Sequence, residues 1–258
     1  MIFYRLIIYI IIFFLPLIIL VRLIKNKEHP KRFLEKLGIF NEEKKRGKLI
    51  WFHGSSVGEI LSVIPLIEKL EKSKDIKQIL LTSNTLSSSK VLKKFKLKKT
   101  IHQFFPVDVQ FINNKFLNYW KPTIAIFIES EIWPSMILNI KQKNIPLILL
   151  NARITKKSFS RWKKINFFSK SIFNKFNLCL AQNSETRNYL KKLGAKNIKK
   201  IGNLKFSYSG NELKNKLNLK VKKNLKKKKI IFSAISTHNN EELFCGKVHN
   251  NLKKKYKN

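Results

Sequence analysis

Cysteine is scarce and scattered in this chain of 258 residues, where Cys179 and Cys245 stand alone. Their isolation excludes a disulfide scaffold, a zinc knuckle and a redox CxxC pair, and it fits a reducing compartment. The five histidines, His29, His53, His102, His238 and His249, fall at no metal-site spacing, so no metal ion and no bound cofactor is expected. Glycines number only eight, and none of them builds a Walker loop or a dinucleotide fingerprint. Acidic residues are also few, 15 against 54 Lys and Arg, for a net charge of +39. Such a charge directs attention to nucleic acid or anionic membranes. Yet only seven of the basic residues are Arg, the residue that makes bidentate phosphate and guanine contacts. Lys, Asn, Ile and Phe are abundant together, as an AT-rich coding sequence makes them, and much of the charge reads as solvated surface. No specific nucleic-acid partner is expected; a membrane-tethered nucleic-acid binder is a rival that charge alone favours.

What the chain has is a long apolar front. Sixteen apolar residues run from Leu6 to Val21, extended by Leu23 and Ile24 around Arg22. At 1.5 Å per residue, a helix of that length reaches nearly across a ~30 Å hydrocarbon core. The run is long for a signal peptide and no small-x-small cleavage site follows it. Lys25, Lys27, Lys31 and Arg32 follow, against Arg5 in front. Residues 1–24 therefore read as an uncleaved, single anchor in the inner (cytoplasmic) membrane, with the body on the cytoplasmic side.

After a connector, 25–48, strand and helix signals alternate at the rhythm of βαβ units. Strand-like runs fall at Leu49–Phe52, Gln78–Thr82, Ile101–Phe105, Thr123–Ile128, Leu147–Leu150 and Leu178–Ala181. Helical patterns lie between them, among them Glu59–Lys72, where Pro65 should kink the helix or delay its start, and Lys163–Phe176. The fold expected is α/β: a Rossmann-like domain over 49–206 with a parallel sheet covered on both faces. A Lys-rich linker, 207–229, precedes a new strand at Ile230–Phe232, and 230–258 reads as only the start of a second domain.

Chemistry-bearing residues gather at strand ends. His53-Gly54-Ser55-Ser56-Val57-Gly58-Glu59 follows the first strand and opens a helix, where free amides suit anionic groups and small residues admit a substrate. Glu59 is a candidate general base; it is equally a first-turn acid that favours the helix dipole. Glu129-Ser130-Glu131-Ile132-Trp133-Pro134 follows the fourth strand, and two carboxylates at i and i+2 leave an extended strand on one side. Asn151-Ala152-Arg153 follows the fifth strand and Gln182-Asn183 the sixth. If the first and fourth strands are neighbours, these groups share one cleft.

Together with Gly202-Asn203-Leu204-Lys205-Phe206 and Ser236-Thr237-His238, these motifs stand in the order found in bacterial 3-deoxy-D-manno-octulosonic acid (Kdo) transferases, which the chain resembles throughout. The resemblance implies a GT-B architecture of two Rossmann-like domains, the first taking a lipid A precursor and the second most of the CMP-Kdo donor. It also implies inverting transfer of Kdo from CMP-Kdo to the glucosamine 6-hydroxyl of that precursor, in lipopolysaccharide assembly. Glu59 is then the expected base, helped by partial burial behind Trp51, Val57 and Ile60. Ser55, Ser56, Gly58, Glu129, Glu131, Arg153 and Lys205 are the expected acceptor-binding or loop-orienting residues. Of these, Arg153 and Lys205 are candidates to hold a carboxylate or phosphate. Ser236, Thr237 and His238 are the expected donor contacts. The chain departs from the family at Ser207, where Asp is usual, and at Asn240, where Gly is usual. Family members are longer and carry a Pro-Arg-His motif and Gly-rich donor loops downstream, so the resemblance covers only their front part. A truncated, non-catalytic lipid-binding remnant is therefore the alternative expectation.

Overall fold

The computed structural model describes residues 4, 8, 12–40, 42–206, 232–235, 237 and 239–256. The chain divides into two compact units, Met1–Ser209 and Gly210–Asn258. In the first unit, α1 (Leu15–Ile24) and a 3-10 turn (Arg32–Leu37) precede the alternation β1 (Lys48–His53), α2 (Val57–Glu71), β2 (Ile76–Ser83), α3 (Leu86–Leu92), β3 (Thr100–Phe104), α4 (Gln110–Trp120), β4 (Ile124–Ile128), α5 (Pro134–Gln142), β5 (Leu147–Ala152). There follow α6 (Lys156–Lys164), α7 (Asn166–Phe173), β6 (Leu178–Ala181), α8 (Ser184–Lys192), β7 (Ile198–Lys200) and a 3-10 turn at Leu204–Phe206.

All seven strands pair in parallel in the order β3-β2-β1-β4-β5-β6-β7. A parallel sheet needs both faces covered, and period-2 alternation in each strand feeds two separate cores. Phe52, Ile79 and Leu81 meet Ile60, Val63, Ile64 and Ile67 of α2 on one face. On the other, Leu49, Trp51 and Phe127 meet Phe116 and Trp120 of α4 and Met136, Ile137 and Ile140 of α5. Full burial of each such side chain contributes about 1.5–3 kcal/mol. Because chain direction reverses after β3, the helices change faces there, and β1 and β4 become neighbours at the centre. That switch point, at the carboxyl ends of β1 and β4, is where sheets of this kind place a ligand.

Several expectations are corrected in detail. Helix α2 begins at Val57 and carries Pro65 inside it, because the Ser56 hydroxyl caps the first turn and fixes its start. The single helix expected at Lys163–Phe176 is two, α6 and α7, broken at Ile165, whose backbone leaves the helical region (φ −111°, ψ 49°). Strand β7 was not anticipated; its three residues, Ile-Lys-Lys, carry almost no apolar pattern. Among the described residues, no helix is long and apolar enough to cross a membrane. In the second unit α9 (Glu241–Lys255) follows Asn240, and Phe232 to Ile235 carry no regular structure. Ile230, Ile231 and the linker 207–229 lie outside the described residues.

Candidate active site

Glu59 sits on the first turn of α2 and is held from two directions. Its Oε2 accepts the Ser55 amide at 2.7 Å, and its Oε1 accepts the Ser56 hydroxyl at 2.8 Å. Ser56 Oγ in turn accepts the Glu59 amide at 3.3 Å. This is a variant of the capping box, so the carboxylate both closes the helix and is oriented by it. Burial, then the negative charge of Glu131, raise the Glu59 carboxyl above its ordinary range, against the Ser56 and Ser55 hydrogen bonds that lower it. Trp51 is not the shield: it belongs to the core on the opposite face of the sheet, its indole N–H spent on Thr82 Oγ1 at 2.9 Å. Gly54 is the residue that lies against the carboxylate.

Gly54 is small for a reason. A Cβ there would stand 3.0 Å from Ile128 Cδ1, 3.2 Å from Glu59 Cβ and 3.4 Å from Glu59 Oε2. Gly54→Ala is thus expected to push Glu59 off its serine donors and to cost about 1–3 kcal/mol of stability through overpacking. Chemical denaturation checks this, and an unchanged midpoint would show that the loop yields freely.

Glu131 reaches the same loop from the segment between β4 and α5. Its Oε2 accepts three donors: Ser55 Oγ at 2.6 Å, Trp133 Nε1 at 2.8 Å and His53 Nε2 at 3.0 Å. Burial would raise this carboxyl, but the His53 bond and charge, with Ser55 and Trp133, overcome it and hold Glu131 below its ordinary range. His53 is wholly buried and stacks on Phe105 at 3.7 Å between ring centroids. Its other nitrogen, Nδ1, lies 3.0 Å from Thr82 Oγ1. That hydroxyl also donates to Phe52 O, so Thr82 ties the His53 ring to the end of β1.

Glu129 and Glu131 do not share a side through strand alternation, as expected for an extended segment. Strand β4 ends at Ile128 and Glu129 is left-handed (φ +56°), a strained state for a non-glycine residue, so the two carboxylates diverge. Glu129 instead meets the ammonium of Lys205, 2.7 Å from its Oε1. Lys205 also lies over the start of α2, where a Cβ on Gly58 would come within 3.6 Å of its Cε and Nζ. Its turn is fastened by Asn151, buried and left-handed (φ +53°), whose Oδ1 accepts the Leu204 amide at 3.1 Å, while Asn203 Oδ1 accepts the Lys205 amide at 3.0 Å. Arg153 stands exposed at the rim, and its guanidinium makes no hydrogen bond or ion pair among the described residues.

The structure therefore brings Ser55, Ser56, Gly58, Glu59, Glu129, Glu131 and Lys205 together at the β1/β4 switch point. The family model for 3-deoxy-D-manno-octulosonic acid transferase (Kdo transferase) matches residues 31–208, which contain this whole constellation. The chain belongs to the Kdo transferase family. Family relatives include the 3-deoxy-D-manno-octulosonic acid transferase of Rickettsia bellii, 36% identical over 92% of this chain and 56% of that protein. That of Haemophilus influenzae is 28% identical over 91% of this chain and 56% of that protein. The chain spans about half the length of the curated relatives it matches. A solved S. aureus MnaA structure with UDP resembles it with a TM-score of 0.50 at 14% identity, over 69% of this chain and 51% of that one, which is a likeness of fold.

Sequence reasoning missed some residues that hold this family's loop in place. Asn84 donates to Ser55 Oγ at 2.7 Å, and Ser88 Oγ to the Ser55 carbonyl at 3.1 Å. The polar triplet Ser83-Asn84-Thr85 at the end of β2 was their only signal. Thr237, in the second unit, bonds Glu242 at 3.1 Å; Ser236 and His238 lie outside the described residues.

Proposed function

We propose that the chain supplies the acceptor side of an inverting Kdo transferase that moves Kdo from CMP-Kdo to the glucosamine 6-hydroxyl of a lipid A precursor. The observation that carries this reading is the convergence of Glu59, the Glu131–His53 pair and the Glu129–Lys205 pair on one loop at the switch point. Glu59 takes the proton of the attacking hydroxyl as that oxygen bonds the anomeric carbon of Kdo and CMP departs. A raised carboxyl suits the task, because a base near the ordinary Glu value of ~4.3 binds a sugar proton feebly. Glu131 and His53 orient Ser55, which aims Glu59. Arg153, whose guanidinium has no partner among the described residues, is the better candidate for a Kdo carboxylate or a lipid phosphate; Lys205 must first leave Glu129. Thr237, with Ser236 and His238, is assigned to the donor. Attachment to the cytoplasmic side of the inner membrane through the N-terminal apolar segment brings the lipid acceptor to this site.

The test is incubation with CMP-Kdo and lipid A precursor, followed by mass spectrometry of the lipid. Addition of Kdo supports the reading, and an unmodified acceptor in the presence of bound CMP-Kdo removes it. A second measurement addresses the base. Glu59 works only when ionised, so the rate falls as pH drops through its raised value, and the acid limb lies above the ordinary carboxylate range. Glu131→Gln removes a charge that raises Glu59, so the limb should move to lower pH. A limb that stays in place separates Glu131 from the titration.

A further inference from the structure

Ser55 is one of the two residues that hold Glu59, and it is itself held from the neighbouring strand. Its amide is spent on Glu59 Oε2 at 2.7 Å. Its hydroxyl proton goes to Glu131 Oε2 at 2.6 Å, and its carbonyl accepts Ser88 Oγ at 3.1 Å. The hydroxyl oxygen also accepts Asn84 Nδ2 at 2.7 Å. Asn84 and Ser88 belong to the junction of β2 and α3, which is fixed by its own bonds. There the Phe105 amide holds the carbonyl of Ser83, the last residue of β2, at 3.0 Å, and Thr85 Oγ1 caps α3 at the Ser88 amide at 3.2 Å. Asn84 is half-buried and belongs to neither core, so a substitution there leaves both intact.

Proton counting shows what Asn84 adds. A hydroxyl carries one proton and two lone pairs, and an ionised carboxylate only accepts. Glu131 Oε2 also accepts the Trp133 indole N–H and His53 Nε2, and these donors with Ser55 hold the carboxyl below its ordinary range. Ser55 therefore gives its proton to Glu131. Only a donor fits the second place on the same oxygen, and the Asn84 NH2 group supplies it; a carbonyl turned there would contend for a proton already spent. The hydroxyl is thus pinned from both sides, and it fixes the rotamer of Ser55 and the backbone that carries the amide to Glu59. Of the two roles expected for Ser55, acceptor binding and loop orientation, this bonding supports the second: its proton, amide and carbonyl are all committed within the protein.

We propose that Asn84 is a positioning residue for the base: its donation to Ser55 Oγ commits that hydroxyl to Glu131 and so fixes the amide that aims Glu59. This rests on the role given to Glu59 above. The first test needs no turnover: hydrogen exchange at the Ser55 amide, followed by NMR in the full chain. Asn84→Leu keeps the branched shape and removes the donor, and the Ser55 amide should exchange roughly 2- to 10-fold faster, the range one hydrogen bond commands. The amides of Val63 and Ile64 within α2 should keep their rates and serve as the folding control. An unchanged Ser55 amide overturns the proposal. In a Ser55→Ala background, which keeps the amide and lacks the hydroxyl, Asn84→Leu should add nothing at position 55; a further increase there shows that Asn84 acts by packing and overturns the proposal too. In a complete version of the enzyme, Asn84→Leu should lower kcat by about tenfold with acceptor KM unchanged. An unchanged kcat overturns the proposal, and one joined to a raised KM puts Asn84 on the acceptor. A complete enzyme that binds CMP-Kdo and transfers no Kdo removes the proposed function, and exchange at Ser55 still decides what Asn84 holds.

Discussion

On the proposed function, Glu59→Gln in a complete version of the enzyme is expected to lower Kdo transfer by roughly 10²-fold or more, with acceptor KM little changed. The amide matches the carboxylate in size and still offers a carbonyl oxygen to the Ser55 amide, which lies 2.7 Å from Glu59 Oε2. Its NH2 group can take the place opposite Ser56, whose hydroxyl is free to accept. The cap on α2 therefore survives, and only proton acceptance is lost. Glu59→Ala is a poorer probe, because losing the cap costs a further 0.5–2 kcal/mol, roughly, and mixes folding with chemistry. Steady-state rates with CMP-Kdo and lipid A precursor decide the matter. Turnover within about tenfold of the parent would sink Glu59 as the base, since a positioned base contributes at least about 10²-fold.

The second large effect is on stability. Glu131→Ala should destabilise the first unit by about 2–5 kcal/mol, because three donors lose their acceptor at roughly 1–3 kcal/mol for each that stays buried. His53 is wholly buried and Glu131 only 12% exposed, so solvent cannot replace the carboxylate. Ser55 Oγ and Trp133 Nε1 lose their acceptor at the same time. Combining it with His53→Phe should restore part of the loss, because a phenyl ring can keep the stack on Phe105 and removes the stranded ring nitrogen. Urea denaturation of the single and double variants gives both numbers. If the double variant is no more stable than Glu131→Ala, the cost lies in the serine and indole donors and not in the histidine.

Much of this was legible in the residues. The alternation of apolar runs with helical spacing foretold six of the seven strands, and Gly194, left-handed at φ +100°, closes α8 where Leu193-Gly194 marked its end. Asn151 and Glu129 were named as polar residues at strand ends, but their left-handed backbones were not foreseen: Asn favours that region only as a tendency, and Glu does not favour it at all. Trp51 was misassigned as a shield for Glu59. Its alternation with Phe52 shows that the two face opposite ways, but which face holds α2 follows from the handedness of the crossover. The anchor expected from sixteen apolar residues is not tested by the described residues, since most of positions 1–11 lie outside them.

The sequence by itself determined the local parts. It set the seven-residue motif from His53 to Glu59 at the β1–α2 junction, the Ser56–Glu59 cap three residues apart, Pro134 at the start of α5, and the family to which these motifs belong. Such features rest on contacts within one helical turn, where the chain has few alternatives. Tertiary structure alone decided that β1 lies beside β4, and with it that His53 meets Glu131 across 78 positions of sequence. It decided too that Asn151 fastens the turn bearing Lys205 across 53 positions. These pairings follow from the order of strands in a closed-packed sheet, a property of the whole core and not of any segment, and no local pattern encodes them.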